Sequence, residues 1–150
     1  QCNSFELKYH KQAEEEGFVM PRTPEAVRHR LYLAFPPFFV TNNPIDLTGS
    51  GKDEDYYIAL KEALPHYDAA VVILLMGATT VTEKVTEMVA RACHEEQKPV
   101  TCCALQGLGY TREAMSALLK QGIPVYPSPE RAVRALAALK KASCRSLRRP

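Results

Sequence analysis

The sequence predicts an α/β fold with a mostly parallel sheet, and two observations lead to that prediction. From Tyr56 onward, short apolar runs of strand length alternate with segments of helical periodicity, as in successive β-α units. The apolar run AAVVILL at residues 69–75 is continuous rather than alternating, which is typical of a central strand covered on both faces. At 150 residues, the chain is long enough to bury a core as one domain.

The segment before this alternation is less regular. Its predicted elements are a helix over residues 8–16 that ends at Gly17, a short strand over residues 18–20, and a helix that Thr23 and Pro24 start and that runs to about residue 33. Pro36 and Pro37 exclude a helix in the residues around them, so we expect an extended connection to Asn43. The loop NPIDLTGSGK at residues 43–52 then precedes an amphipathic helix.

Three strands are predicted downstream of that helix, over residues 69–75, 99–104 and 123–126, and a helix follows each of them. Each helix has capping residues at its start: Thr82, Thr111, and Ser128 with Pro129. Gly122 ends the second of these helices. Apolar residues recur at helical spacing in all three and are expected to face the core: Val85, Met88, Val89 and Ala92; Met115, Leu118 and Leu119; Val133, Leu136, Ala137 and Leu139.

Composition and charge describe an ordinary globular domain. With 46% hydrophobic residues, 24% charged residues and a net charge of +2, the chain resembles neither a nucleic-acid binder nor a disordered protein. The longest nearly apolar stretch, residues 69–78, is about half of what a membrane-spanning helix needs, and no signal segment opens the chain. We therefore expect no nucleic-acid or membrane partner and a cytoplasmic location.

The five cysteines have no metal-ligand spacing, and their odd number fits reduced thiols better than disulfides. We therefore predict no metal site. Residues 1–142 are expected to form the single domain and residues 143–150 a basic, solvated tail.

The loop at residues 43–52 is the strongest candidate for a ligand site. A loop rich in glycine and hydroxyl groups that leads into a helix can hold an anion with backbone N–H groups and the helix dipole. It is not a Walker A motif, because Asp46 and Asp53 occupy the positions of the motif's first glycine and its final serine or threonine. The same residue types form ordinary turns and caps, so the spacing alone favours a structural turn.

Three glycine-containing loops are predicted where ligands bind in open α/β sheets, at residues 47–52, 76–80 and 105–110. Glycine lets an anion approach the backbone closely. Hydroxyl groups in the first two loops add donors: Thr48, Ser50, Thr79 and Thr80. This set suits a phosphoryl group or another oxyanion better than an apolar ligand.

No acid, base or nucleophile is evident in these loops. The four histidines lie on predicted helices or helix ends and are expected at the surface: His10, His29, His66 and His94. The glutamates at 14–16 are expected to face solvent, Asp46 to order its own turn, and Cys102 to be an inert buried residue. We therefore predict no catalytic residue.

Several segments, in a fixed order, resemble one protein family. They are AEEEGFVMPRTPEAV at residues 13–27, NPIDLTG followed by EDYYIALKEAL, the AAVVILL strand, KPV at the next strand, and GIPVYPSPERAVRALAAL at residues 122–139. Together they are similar to the C-terminal domain of NDP-forming acyl-CoA synthetases, the ADP-forming acid–CoA ligases. The resemblance covers about residues 13–139 and implies a flavodoxin-like, three-layer α/β/α domain, similar to the last domain of the succinyl-CoA synthetase β chain.

The resemblance implies the reaction acyl-CoA plus phosphate plus ADP giving acid, CoA and ATP, through an acyl phosphate and a phosphohistidine. It implies as partners a CoA-binding domain, a histidine-bearing domain and an ATP-grasp domain or subunit, with CoA, ADP or ATP and Mg²⁺ bound by the complete enzyme and no cofactor bound by this chain alone. Phosphate or acyl phosphate would contact two loops. The residues that carry over are Thr48, Gly49, Ser50 and Gly51, and less firmly Gly77, Ala78, Thr79 and Thr80.

One departure from the family lies at the start of the chain. Where the family has an apolar strand and a glycine-rich turn, this chain has QCNSFELK, so the first strand of the domain is expected to be missing. Two alternatives remain open on the sequence: a non-catalytic binding or assembly module of the same fold, and an FMN-binding flavodoxin-like protein. The chain alone is expected to have no ligase activity.

Overall fold

The sheet in the computed structural model has three parallel strands, β1 (Ala70–Leu75), β2 (Val100–Leu105) and β3 (Val125–Tyr126), in the order β1-β2-β3. Ala70 pairs with Val100 and Cys102 with Val125. The structure describes residues 11–76, 78–105 and 110–146. The predicted α/β fold with a parallel sheet is confirmed, and the three predicted strands are present: the first and third are shorter than predicted, and the second is shifted by one residue.

Five α-helices accompany the sheet in the described ranges: α1 (Glu25–Ala34), α2 (Asp53–Ala63), α3 (Val85–Glu96), α4 (Tyr110–Lys120) and α5 (Pro129–Ser146). Residues 11–15 are also helical, and short 3₁₀ turns lie at Thr48–Ser50 and Leu64–His66. None of the described helices has the length and apolar character that crossing a membrane requires.

The core has two hydrophobic clusters. The first packs α3 and α4 on one face of the sheet, with Val72, Leu74 and Cys102 pointing toward Val89 and Leu118. The second cluster lies between α1, the chain that follows it, and α2: Val27, Leu31, Phe35, Phe39, Leu47, Ala59 and Ala63. Tyr56 packs against both clusters. The 47–52 loop, which connects the second cluster to α2, therefore lies where the two clusters meet.

Helix α5 covers the opposite face of the sheet. Thr101, which alternates with Val100 and Cys102 along β2, points to that face, and its hydroxyl donates to the Ala132 carbonyl at 3.2 Å. Lys140 of α5 donates to the Gly17 carbonyl at 2.8 Å. The helices on the two faces give the sheet its α/β/α layering.

Three of the predicted helix boundaries are confirmed. Pro129 is the first residue of α5, and the backbone N–H of Arg131 donates to Ser128 Oγ at 3.4 Å, as expected of an N-cap. Gly17 and Gly122 follow helices with φ angles of +79° and +80°, the left-handed conformation that glycine adopts without steric cost. The part of the first predicted helix before residue 11 lies outside the described residues.

Four details of the element predictions are wrong. Residues 18–20 do not form a strand, because the N–H of Phe18 donates to the Ala13 carbonyl and closes the end of the preceding helix. Thr111 lies inside α4, which begins at Tyr110. Thr23 precedes the N-cap position of α1, which is occupied by Pro24. Thr82 lies two residues before the N-cap of α3 at Lys84, where its hydroxyl oxygen accepts from the Lys84 N–H at 3.2 Å and its hydroxyl proton is donated to Asp53 of α2.

Two residues expected in the core are exposed. Leu119 is 55% exposed and Leu139 is 49% exposed. Both lie at the edge of their helical stripes, because Leu118 on α4 and Leu136 with Ala137 on α5 fill the centres. The helical period therefore identified the correct faces and overestimated their width. Helix α5 also continues to Ser146, past the predicted start of the tail at residue 143.

Candidate functional site

The 47–52 loop begins at a short antiparallel bridge between Val40 and Asp46, which exchange two backbone hydrogen bonds of 2.9 Å. Asp46 Oδ1 then accepts from the Thr48 N–H at 2.7 Å, which confirms that Asp46 orders its own turn. Thr48 Oγ1 in turn accepts from the Ser50 N–H at 3.2 Å. Side chains of the loop therefore hold its backbone in one conformation.

Thr48 has an unusual backbone conformation. Its φ angle is +54°, in the left-handed region that β-branched residues rarely adopt, so the surrounding hydrogen bonds hold it there at a conformational cost. Thr48, Gly49 and Ser50 are exposed, and the 3₁₀ turn that they form presents the Thr48 and Ser50 hydroxyls at the surface. Such strain is typical of functional sites, and here it coincides with the predicted phosphate-contacting residues.

The two glycines of the loop differ in their surroundings. A Cβ atom at Gly51 would lie 2.7 Å from the Leu47 Cβ and 3.2 Å from the Leu47 carbonyl oxygen, so no side chain fits there. A Cβ at Gly49 would have no atom within 4 Å. Gly51 is therefore required by packing, whereas Gly49 leaves open space above the exposed turn.

Hydrogen bonds join this loop to the 78–82 segment that follows β1. The Thr80 hydroxyl donates to the Gly51 carbonyl at 2.7 Å. The Asp53 carboxylate accepts from the Thr82 N–H at 2.8 Å and from the Thr82 hydroxyl at 2.6 Å. We call this pair of bonds the Asp53–Thr82 contact. It holds the start of α2 against the segment that leads into α3.

The structure thus brings together two of the three predicted loops. Ala78, Thr79 and Thr80 lie on the segment that is bonded to the 47–52 loop, and Thr79 is exposed. The Thr80 hydroxyl proton is committed to the Gly51 carbonyl, which can only accept, so this group is unable to donate to a ligand at the same time. Gly77 and residues 106–109 of the third loop lie outside the described residues.

The charge around the 47–52 loop is negative. Four carboxylates lie in or beside it: Asp46, Asp53, Glu54 and Asp55. Burial, and then the charges of three of these acids, raise the pKa of Tyr56 to about 12. The ammonium group of Lys84 is 2.6 Å from a carboxylate oxygen of Glu54 and is paired with it. Lys52, the last residue of the loop, is an exposed cation. The four carboxylates outnumber it, so the net side-chain charge disfavours a free anion, whereas the Lys52 ammonium group, the backbone dipoles and the hydroxyl groups favour one.

No proton-transfer group lies in these loops. The three histidines in the described ranges, His29, His66 and His94, are exposed on helices or at their ends, as predicted, and His10 lies outside those ranges. Burial raises the pKa of the Cys102 thiol, which is fully buried in β2. Glu14 and Glu15 face solvent, whereas Glu16 is partly buried and contacts Arg134 at 3.7 Å.

The described residues contain no group of three or more potential metal ligands from histidine, cysteine, aspartate or glutamate. A cavity of about 520 Å³ lies at the amino ends of β2 and β3, opposite the two loops. Two of its polar side chains have partners inside the protein: His94 Nε2 is 3.0 Å from the Gln121 carbonyl, and the Lys98 ammonium donates to three carbonyl oxygens.

Two residues of the site were not singled out for it by the sequence. Asp53 attracted attention only because it occupies a Walker A position, and Thr82 was expected to cap α3. An acid in the first turn of a helix is a recognisable signal, but its partner is 29 residues away and is identified only by the fold.

Comparison with known proteins gives relatives of one kind. No protein-family model matches the chain. Over 133 residues the chain is 36% identical to the alpha subunit of acetate–CoA ligase (ADP-forming) I of Pyrococcus furiosus, and over 132 residues it is 32% identical to the alpha subunit of ligase II of that organism. These matches cover 86% and 84% of the chain but only 28% and 29% of the subunits, so the chain spans less than a third of their length.

Solved structures give the same result. The dinucleotide forming acetyl-coenzyme A synthetase 1 of Ca. Korarchaeum cryptofilum superposes with a TM-score of 0.79 and 32% identity, over 89% of this chain and 30% of that one. It has been solved as the apo form and in complex with phosphate and ADP. A Pyrococcus horikoshii protein of 27% identity also has a TM-score of 0.79. The chain is homologous to part of the alpha subunit of ADP-forming acetyl-CoA synthetases.

Proposed function

We propose that this chain supplies the flavodoxin-like domain of an ADP-forming acid–CoA ligase, which converts acyl-CoA, phosphate and ADP into acid, CoA and ATP. The observation that carries the proposal is the homology over 133 residues, which includes the strained loop at Thr48. Phosphate and ADP in the solved relative support a phosphoryl group as the ligand. We place the phosphoryl contact at residues 48–51 and 78–80.

In this proposal the loops bind and orient the phosphoryl group and take no part in proton transfer. Preorganised donors stabilise the charge of a transferring phosphoryl group because they need no reorganisation during the reaction. The exposed groups suited to this role are the Thr48 and Ser50 hydroxyls, the backbone of Gly49, and Thr79. Thr80 contributes indirectly, since its hydroxyl fixes the Gly51 carbonyl.

The remaining chemistry is proposed to come from other domains of the same enzyme. The complete ligase needs a histidine that carries the phosphoryl group, a nucleotide site with Mg²⁺ and a CoA site, and the two described loops contain no histidine. The acids around the 47–52 loop support this division, because they outnumber the loop's own cation, Lys52, and cations from a partner would offset them. We place the enzyme in the cytoplasm, which the three free thiols of Cys93, Cys102 and Cys103 support.

A ligase assay tests the proposal. The purified chain is incubated with acetyl-CoA, phosphate, ADP and Mg²⁺, alone and with chains that carry the CoA-binding, histidine-bearing and ATP-grasp domains. We expect no ATP from the chain alone and phosphate-dependent ATP formation from the mixture. ATP formation by the isolated chain would contradict the predicted inactivity, and a mixture whose rate is unchanged when this chain is omitted would contradict its role.

The acidic surroundings favour one alternative, a non-catalytic assembly module that retains the fold and binds partner domains without contacting phosphate. Calorimetric titration distinguishes the two functions. If the chain is part of the catalytic site, saturating phosphate changes its affinity for the histidine-bearing partner. The assembly module would bind that partner with the same affinity at every phosphate concentration.

A further inference from the structure

Asp53 is the one charged side chain buried in the part of the chain that the structure describes, with 6% of its surface exposed. It is the first residue of α2. Its two oxygens accept hydrogen bonds from the N–H and the hydroxyl of Thr82, and no cation contacts it there. A buried carboxylate is costly unless it is hydrogen-bonded, so the helix N-terminus and Thr82 together stabilise its charge.

The Asp53–Thr82 contact controls how two loops lie relative to each other. With the bond from Thr80 to Gly51, it places three hydrogen bonds between residues 51–53 and residues 80–82. Apolar contacts also hold α2 against the α3 region, because Tyr56 and Leu60 pack against the first hydrophobic cluster. The ion pairs of Lys61 lie farther along α2, away from the loops. The three hydrogen bonds between residues 51–53 and residues 80–82 join the two loops directly and therefore fix their local arrangement.

We propose that Asp53 is a positioning residue, which acts through Thr82 to hold the 47–52 loop and the 78–82 segment as one phosphate-contacting surface. The inference rests on the proposed function, because it presupposes that both loops contact the phosphoryl group. Asp53 itself does not touch the ligand. Its charge repels phosphate, so its benefit is geometric and outweighs an electrostatic cost.

The geometric and electrostatic effects of Asp53 on phosphate affinity have opposite signs, so variants that separate the two effects test the positioning role. Asp53→Asn removes the charge but keeps an acceptor for the Thr82 N–H, and its amide N–H₂ finds an acceptor in the Thr82 hydroxyl oxygen. Asp53→Ala removes the charge and both hydrogen bonds. If charge alone mattered, both variants would bind phosphate better than the wild type. If positioning dominates, only Asp53→Asn does so.

The experiment uses the full chain assembled with its partner domains. Steady-state kinetics give the KM for inorganic phosphate and kcat, and hydrogen exchange reports the mobility of the 78–84 amides. We expect Asp53→Ala to raise the phosphate KM about tenfold and to speed exchange of the Thr82 amide by a similar factor. Thr82→Val keeps the negative charge and should also raise KM. Lys61→Met, which breaks the ion pairs with Glu95 and Glu96 away from the loops, serves as the matched control and should change neither quantity.

The outcomes separate the two proposals. A phosphate KM that falls equally in Asp53→Ala and Asp53→Asn would overturn the positioning role while leaving the phosphate site intact. Unchanged exchange at residues 78–84 in Asp53→Ala would overturn it as well. If the partner domains form ATP at the same rate without this chain, the proposed function is refuted. The positioning role of Asp53 in phosphate contact is then refuted as well. Because Thr82→Val retains Asp53, it still tests the contact if Asp53→Ala fails to fold.

Discussion

Gly51→Ala should destabilise the protein, whereas Gly49→Ala, two residues earlier in the same loop, should not. At Gly51 the new Cβ would lie 2.7 Å from the Leu47 Cβ, a distance that packed atoms do not tolerate. Leu47 is 8% exposed and belongs to the second core cluster, so it has no free space to move into. The backbone is not the obstacle, because the φ angle of Gly51 is −59°, which alanine adopts readily.

The magnitude follows from two opposing effects. Overpacking a well-packed site costs about 1–3 kcal/mol. Replacing glycine with alanine at a compatible backbone conformation stabilises by about 0.4–1 kcal/mol through the unfolded state. Gly51→Ala should therefore lower the free energy of unfolding by about 1.3 kcal/mol, the midpoint of a range of about 0–2.6 kcal/mol, and Gly49→Ala should raise it by about 0.4–1 kcal/mol. At this chain length these changes correspond to a Tm lower by about 3–5 °C and higher by about 1–4 °C, respectively.

Calorimetry and urea unfolding of both variants give the measurement. The wild type and the two variants should share one m-value, because the surface exposed on unfolding is the same. Equal changes in Tm for Gly49→Ala and Gly51→Ala would refute the steric explanation, since the two substitutions are chemically identical and differ only in their contacts. A stabilised Gly51→Ala would show that Leu47 moves without cost.

Three further predictions concern other parts of the fold. Lys98→Met removes an ammonium group that donates to three carbonyl oxygens within residues 64–67, so the free energy of unfolding in urea should fall by about 1–3 kcal/mol. In the same assay Leu118→Ala should lower the free energy of unfolding by about 2–5 kcal/mol. Leu119→Ala, at a 55% exposed position, should change it by no more than about 0.5 kcal/mol. Burial raises the pKa of Tyr56 from 10.0 to about 12, so its contribution to stability is full below pH 10 and is lost as the pH rises through 12. Tyr56→Phe should reduce this alkaline loss of stability, and urea unfolding across this pH range checks the prediction.

The elements that the sequence predicted well depend on local patterns. The AAVVILL run became β1 because a continuous apolar segment must be covered on both faces, and Pro129 after Ser128 started α5 because both residues favour a helix N-terminus. The helical period also predicted which faces of α3, α4 and α5 are buried. It did not predict that Leu119 and Leu139 are exposed, because the width of a buried stripe depends on how far the neighbouring element extends.

The features of the site that the sequence did not predict depend on distant partners. The left-handed conformation of Thr48 has no local signal, because threonine rarely adopts it and two hydrogen bonds, to Asp46 and from Ser50, hold it in place. Thr82 had the sequence signal of a helix cap, and its hydroxyl oxygen does accept from the Lys84 N–H, but the same hydroxyl also donates to Asp53, 29 residues earlier. Hydroxyl and carboxylate groups have many possible partners, so sequence patterns locate the loops and only the fold decides which donors remain available.

Acidic residues surround the loop that we propose contacts phosphate, and the proposed function gives a reason for them. If the loop bound free phosphate tightly, phosphate would occupy it in the cell and would compete with the phosphoryl group that is being transferred. Here the side chains of Asp46 and Thr48 already accept from two of the loop's own N–H groups, and carboxylates surround the remainder. Under the proposed function, binding becomes favourable only when a partner domain brings a phosphoryl group together with cations. The acids then favour the assembled reaction complex over occupation by free phosphate.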